Sequence, residues 1–313
     1  MDVTRTVYGV YYPETRAVVD ALWSERHHDW YERNYEKRQD DMHRPLLARW
    51  RTWASDAGVN LGSGYGFEYP TAGANEAIHA LLALHAARGH RRIHVFAGEY
   101  EGYGHLATAL GLEVVTHARE ASPAALRSAS PGDQFWISQP SAIDGNLWRD
   151  FDAFRGWLAR DAPSVDLIVD VTYIGATASK PRIDLEPAPV AAIVWSLSKP
   201  FGVYYHRVGG LLSRREVPTL SGHHWFKNLF SVHLGERLLA AHAACELPTR
   251  YAAKRSEVIA TCIAQKTLPA SVVPSDVIML AHAGPKPTGF EDYDRADGSR
   301  FCISPALDRM INT

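Results

Sequence analysis

Ser196-Leu197-Ser198-Lys199 directly follows the apolar run Ala191-Ala192-Ile193-Val194-Trp195, and Arg207 stands eight residues further on in Tyr205-His206-Arg207-Val208-Gly209-Gly210. A lysine at the end of a buried strand pays a desolvation cost for its charge. Burial therefore favours the neutral amine, the form that adds to carbonyls to give a Schiff base. The two hydroxyls and the guanidinium are anion ligands, and arginine's planar fork suits phosphate. Together these residues describe a site for a cofactor that carries a carbonyl and a phosphate and is held covalently. On its own, Ser-x-Ser-Lys is common and a lysine after a strand is ordinarily a solvated strand end, so the other candidates decide.

Asp170 closes the apolar run Leu167-Ile168-Val169 and is followed by Tyr173. A carboxylate at a buried strand end calls for a cationic partner. A protonated pyridine nitrogen is such a partner, and a ring kept in that state acts as an electron sink. Pyridoxal 5'-phosphate unites the carbonyl, the phosphate and the pyridine. Tyr173 would donate to the ring's phenolic oxygen. Thr71-Ala72-Gly73-Ala74-Asn75 is a glycine turn that opens a helix. The free N–H groups and positive dipole end at such a turn form an anion site, which places the phosphate on Gly73, Ala74 and Asn75. Tyr100, in Glu99-Tyr100-Glu101-Gly102-Tyr103, is placed to stack on a planar ring. Each signal has an ordinary counterpart: an Asp capping a turn, a Gly before a helix, a surface aromatic.

The elements that must position these residues alternate. Helical spacing over 75–88, 103–110 and 151–159 interleaves with apolar strands at 93–96, 113–115, 134–138, 167–171 and 192–195. The last two runs are apolar throughout, as parallel strands buried on both faces are. Gly209-Gly210-Leu211-Leu212 follows closely enough to be a neighbouring antiparallel strand. This is an α/β chain with a mostly parallel central sheet sandwiched by helices, and such sheets collect ligands at the carboxyl ends of their strands. Residues 14–55 read as one or two amphipathic helices.

The bounds agree. At 313 residues and 34.8 kDa the chain is long enough for a large and a smaller domain, and a net charge of −2 argues against nucleic-acid or membrane-surface partners. Cys245, Cys262 and Cys302 are odd in number and lack CxxC spacing, which fits reduced thiols in the cytoplasm. The first residues have no apolar signal-peptide core and no stretch reaches a membrane-spanning length, which argues against export and insertion. His27-His28 and His223-His224 lack an HxxxH spacing with an acid, so no metal site is expected.

The order of these motifs (glycine turn, aromatic, Asp-x-x-Tyr, Ser-x-Ser-Lys, Arg) resembles fold-type I pyridoxal-phosphate enzymes, most closely the class I/II aminotransferase family. The resemblance runs from about Tyr69 to Gly210, with a fainter match at Gly298-Ser299-Arg300-Phe301-Cys302. It implies that Lys199 is the Schiff-base lysine and proton shuttle, that Asp170 pairs with the pyridine nitrogen and Tyr173 with the phenolic oxygen. It also implies that Tyr100 stacks on the ring, that Ser196, Ser198, Arg207 and the Gly73 turn hold the phosphate, and that Arg300 clamps a substrate α-carboxylate. A large domain over 50–238 and a small, trimmed domain over 1–49 and 239–313 are expected, in a homodimer. His223, His224, Trp225 and Lys227 would then lie in a partner-facing segment.

The chain departs from the family pattern in two places. Gln139-Pro140-Ser141-Ala142-Ile143-Asp144-Gly145-Asn146 replaces the usual Asn-Pro-x-Asn-Pro-Thr-Gly, so Ala142 stands where an Asn touches the phenolic oxygen. Asn146 or Gln139 is left to take that part. The proline that usually precedes the stacking aromatic is also missing. The leading expectation is amino-group transfer between an amino acid and a 2-oxo acid. The second is elimination, replacement, cyclisation or oxidation of an amino acid with the same cofactor. The third is a non-catalytic binding protein, against which an intact Lys199 and Asp170 count.

Overall fold

A computed structural model describes residues 2–25, 28–30, 39–121, 123–124, 127–221 and 228–312. His27, His223, His224, Trp225 and Lys227 lie outside the described residues.

The apolar runs form one seven-stranded sheet. Its strands are β2 (Phe67–Thr71), β3 (Arg92–Phe96), β4 (Glu113–His117), β5 (Gln134–Ser138), β6 (Asp166–Asp170), β8 (Val190–Ser196) and β9 (Gly209–Ser213), in the order β2-β9-β8-β6-β5-β3-β4. All neighbours run parallel except β9, which is antiparallel to both β2 and β8. Every residue of β5 and β8 is buried, because helices cover both faces and leave no position for a polar side chain to reach water. The helices α3 (Ala74–Ala87), α4 (Glu101–Ala109) and α5 (Phe151–Asp161) lie between strands in the chain. The 14–55 segment contains α1 (Pro13–Trp23) and α2 (Gln39–Asp56), and both pack on α6 (Leu229–Ala241). Trp50 of α2 stacks on Trp195 of β8 with ring centroids 4.6 Å apart, which anchors that helix to the strand preceding Lys199.

A four-stranded antiparallel sheet in the C-terminal part has the order β10 (Val273–Pro274), β11 (Leu280–Ala283), β13 (Gly298–Cys302) and β12 (Asp294–Arg295). Helices α7 (Ala252–Ala264) and α8 (Ser304–Asn312) pack against each other beside it. A short parallel pair, β1 (Val59–Asn60) with β7 (Ile183–Asp184), ties the start of the large sheet region to its middle. One apolar core runs through both sheets, from Val169 and Trp195 to Leu280 and Phe301. The N-terminal segment crosses between them: Thr4 bridges to Cys302, and the ideal Cβ of an added side chain at Gly9 would stand 2.2 Å from the Ser198 carbonyl. Only glycine lets the chain pass so close to the turn that carries Lys199.

Candidate active site

Asp170 and Ser196 are the last residues of β6 and β8, Ser138 ends β5, and antiparallel β9 begins at Gly209 on the same edge. The sheet's register therefore delivers these side chains to one place. A cavity of about 300 Å³ opens there, lined by Ala74, Asn75, Tyr100, Asp170, Tyr173, Ser196, Ser198, Lys199, Arg207 and Arg300 among others.

Lys199 lies partly buried in the turn after β8, and its Nζ donates to the Val7 carbonyl. Burial pulls its amine down to about 8, helped by the nearby Arg300 charge and opposed by Asp170. Asp170 is buried at 6% exposure. Tyr103 Oη donates to its Oδ2 at 2.9 Å and the Thr172 amide to its Oδ1 at 2.8 Å. Burial raises the Asp170 carboxyl, while the Thr172 and Tyr103 hydrogen bonds oppose the rise. Tyr173 lies on the same wall, and burial lifts its hydroxyl to about 12, so it remains a donor at neutral pH.

At the other end of the cavity, Gly73 caps α3 with φ 78°. A Cβ there would stand 2.5 Å from Arg207 Nη2, so glycine is required both by the backbone conformation and by the guanidinium. Arg207 is itself left-handed (φ 53°) and donates to the Tyr204 carbonyl at 3.2 Å, leaving its Nη2 side toward the helix start. Ser196 Oγ lies 2.9 Å from Ser198 Oγ and accepts from the Ser198 amide at 3.1 Å. Helix N-terminus, guanidinium and hydroxyls form an anion cradle. Tyr100 donates through its hydroxyl to Asn75 Oδ1 at 2.9 Å and stands edge-on to Tyr103, centroids 5.3 Å apart, so the two helix starts are joined at the cavity wall.

Arg300, on β13, is 5% exposed and enters from the C-terminal sheet. Its Nη1 donates to the Ala142 carbonyl, while its Nε is buried without a partner among the described residues.

Asn146 is not brought to the cavity. Its Oδ1 accepts from the Asp276 amide at 3.0 Å and its amide nitrogen faces His282, so it ties the turn after β5 to the C-terminal sheet. Gln139 is likewise engaged with the Trp148 backbone. Neither residue lines the cavity, and Ala142 does.

Several site residues escaped the sequence reading. Glu99, 6% exposed, accepts from the Ser138 amide at 3.2 Å and from Ser138 Oγ at 2.5 Å; burial lifts its carboxyl to about 7. Tyr103 holds Asp170. Arg5, Glu101 and Arg295 line the rim. Glu99 and Tyr103 share one pentapeptide with Tyr100, and an acid between a strand and a helix start was a visible signal. Arg5 and Arg295 had none, being placed by the N-terminal crossing and by the β12–β13 hairpin. That hairpin's Ala296 backbone nitrogen lies 3.1 Å from where a Cβ at Gly98 would be, at a φ of 81°.

A nucleophilic amine of lowered pKa, a carboxylate behind it and an anion cradle beside it fit an aldehyde cofactor with a ring nitrogen and a phosphate. Solved structures with this fold include aminotransferases, one of them in complex with pyridoxal-5'-phosphate. Histidinol-phosphate aminotransferase from Sinorhizobium meliloti in complex with pyridoxal-5'-phosphate superposes with a TM-score of 0.62 at 14% identity, over 99% of this chain and 90% of that one. A single mutant of Thermus thermophilus aspartate aminotransferase gives 0.69 at 12% identity, covering 98% and 88%. MppP soaked with the product 2-ketoarginine gives 0.71 at 12% identity, covering 98% and 96%. No curated protein sequence matches the chain. The likeness shows the fold, that of fold type I. Residues 69–231, just over half of the sequence, match the aminotransferase class I and II family, and the chain belongs to it. Among the described residues no helix is long and apolar enough to cross a membrane, and no three His, Cys, Asp or Glu groups cluster as metal ligands.

Proposed function

We propose that the protein moves the amino group of an amino acid to a 2-oxo acid. The observation that carries this reading is that Lys199 and Arg300 open onto one cavity from different sheets, with Asp170 on its wall.

Lys199 Nζ would hold the cofactor's carbonyl carbon, Asp170 its ring nitrogen, Tyr173 its phenolic oxygen and Tyr100 a ring face. The phosphate would rest on Gly73, Ala74, Asn75, Ser196, Ser198 and Arg207. Bound there, pyridoxal phosphate supplies a carbonyl to receive the amino group and a ring that delocalises charge from the substrate α-carbon. Arg300 fixes the α-carboxylate through its guanidinium and so sets which bond at the α-carbon faces Lys199. Lys199 Nζ, kept largely desolvated, would take the Cα proton and return it to the carbon that had been the cofactor's carbonyl. Asp170, clamped by Tyr103 and Thr172, holds its negative charge against the ring throughout. The 5–7 segment lines the cavity, and its Val7 carbonyl accepts from the Lys199 amine.

Ala142 at the wall, with Asn146 and Gln139 engaged elsewhere, favours a second reading: elimination, replacement, cyclisation or oxidation with the same cofactor. A single-turnover assay separates the two. Cofactor-loaded protein is mixed with amino acids and no 2-oxo acid, and cofactor and product are identified by mass spectrometry. Stoichiometric pyridoxamine phosphate with a 2-oxo acid is expected. Product formed while the cofactor stays an aldehyde would overturn transamination in favour of the second reading.

A further inference from the structure

Three guanidiniums, and not one, border the end of the cavity away from the phosphate cradle. Beside Arg300 stand Arg295 of β12 and Arg5 of the N-terminal segment, both facing Glu101 at the start of α4. Arg295 Nη1 donates to Glu101 Oε1 at 2.7 Å and Arg5 Nη2 donates to the same oxygen at 2.9 Å. The Arg295 side chain is only 10% exposed, yet its Nε is buried without a partner among the described residues. Burying a guanidinium with an unmet donor is costly, and a structural ion pair alone would not require it.

A charge count sharpens the point. The cavity is lined by Arg5, Lys199, Arg207, Arg295 and Arg300 against Glu101 and Asp170. Under the aminotransferase reading, on which this inference rests, the phosphate takes Arg207 together with the hydroxyls and helix start of the cradle, the carbonyl consumes the Lys199 amine, the ring nitrogen answers Asp170 and the α-carboxylate answers Arg300, so the balance that matters is the local one at the far end. Arg5 and Arg295 then share the single Glu101 carboxylate, which leaves a local excess of one positive charge at that end of the cavity. A neutral side chain leaves that charge bare, and a cationic one adds to it. An anionic one matches it.

We propose that the substrate is an amino acid carrying a second anionic group, a carboxylate or a phosphate, which is recognised by Arg295 and Arg5, with Glu101 as the internal counter-ion that holds both arginines in place until the substrate arrives. Glu101 and Arg5 are about half exposed, at 46% and 57%, and so are free to swing aside, whereas Arg295 is not. Arg295 is therefore the fixed reader and Arg5 the mobile one.

The test starts from cofactor-loaded protein, with loading verified by absorbance and by borohydride trapping on Lys199. Calorimetric titration then compares glutarate and 4-phosphonobutanoate (two anionic ends) with butyrate (one) and 5-aminopentanoate (a cationic tail). At least one dianion should bind about tenfold or more tightly than butyrate, the worth of one charge-assisted contact, and 5-aminopentanoate more weakly than butyrate. The tighter dianion identifies the group as carboxylate or phosphate. Arg295→Gln should remove most of the dianion's advantage, and the exposed Arg5→Gln, which serves if the first variant does not fold, should remove part of it. Equal binding of dianions and butyrate, or an advantage that survives both substitutions, overturns the proposal while leaving the aminotransferase reading intact. Failure to load cofactor on Lys199 overturns both.

Discussion

The lowered pKa of Lys199 can be read directly from cofactor-free protein. Burial takes its amine from the ordinary 10.5 down to about 8. At pH 7 the neutral fraction then rises from about 0.03% to about 10%, a gain of roughly 300-fold in reactive amine. Labelling of Lys199 by an uncharged aldehyde with cyanoborohydride, followed by peptide mass spectrometry, should rise with pH through a midpoint near 8. An uncharged probe keeps the reagent's own titration out of the profile. The neighbours give the midpoint two directions: Asp170 raises the Lys199 value and Arg300 lowers it. Asp170→Asn should therefore shift the midpoint down and Arg300→Gln should shift it up. A midpoint near that of surface lysines, or one that ignores both substitutions, would refute the placement of Lys199 in a desolvated pocket beside these charges.

Two further outcomes are expected. Gly73→Ala puts a Cβ 2.5 Å from Arg207 Nη2 at a φ of 78°, so pyridoxal-phosphate affinity measured by absorbance titration should fall at least about tenfold; unchanged affinity would remove the phosphate from this cradle. Burial lifts Glu99 from 4.5 to about 7, so the folded protein holds this proton more tightly than the unfolded chain between those values. The contribution is complete below the lower value and is lost as pH rises through the upper one. Glu99→Gln should accordingly gain stability relative to the parent between about pH 5 and pH 8, by up to about 3 kcal/mol in urea denaturation. A difference independent of pH would show that Glu99 does not titrate in this range.

Much of the site could be read from the chain because its chemistry is carried by short contiguous segments. Lys199 and Asp170 each end an apolar run, and a charged residue at the end of a doubly covered strand marks both the sheet's edge and a partner waiting there. Strand boundaries agreed to within a residue or two for β3, β5 and β6, since continuous burial leaves a continuous apolar pattern. Gly73, Ser196 and Arg207 were legible for the same reason: a turn, a hydroxyl pair and a guanidinium lie next to elements whose register is set locally. Asn146 shows the limit of such reasoning. Its position beside the altered turn suggested a role in the cavity, but the Asp276 amide from the C-terminal sheet captured its side chain.

The rest of the site depends on residues far apart in the chain. Arg5, Glu101 and Arg295 meet because the N-terminal segment pairs with β13 while the β12–β13 hairpin abuts Gly98, and no local period encodes that meeting. Tyr103 reaches Asp170 from α4, and Glu99 gains its raised pKa from burial, against the Ser138 hydrogen bonds from β5 that lower it. The apolar runs encoded the sheet and the order in which Asp170, Ser196, Lys199 and Arg207 arrive at its carboxyl edge. The small C-terminal sheet, the occupants of the cavity rim and the protonation of its buried acids were set by packing between distant segments, because burial and charge proximity belong to the assembled fold and not to any stretch of it.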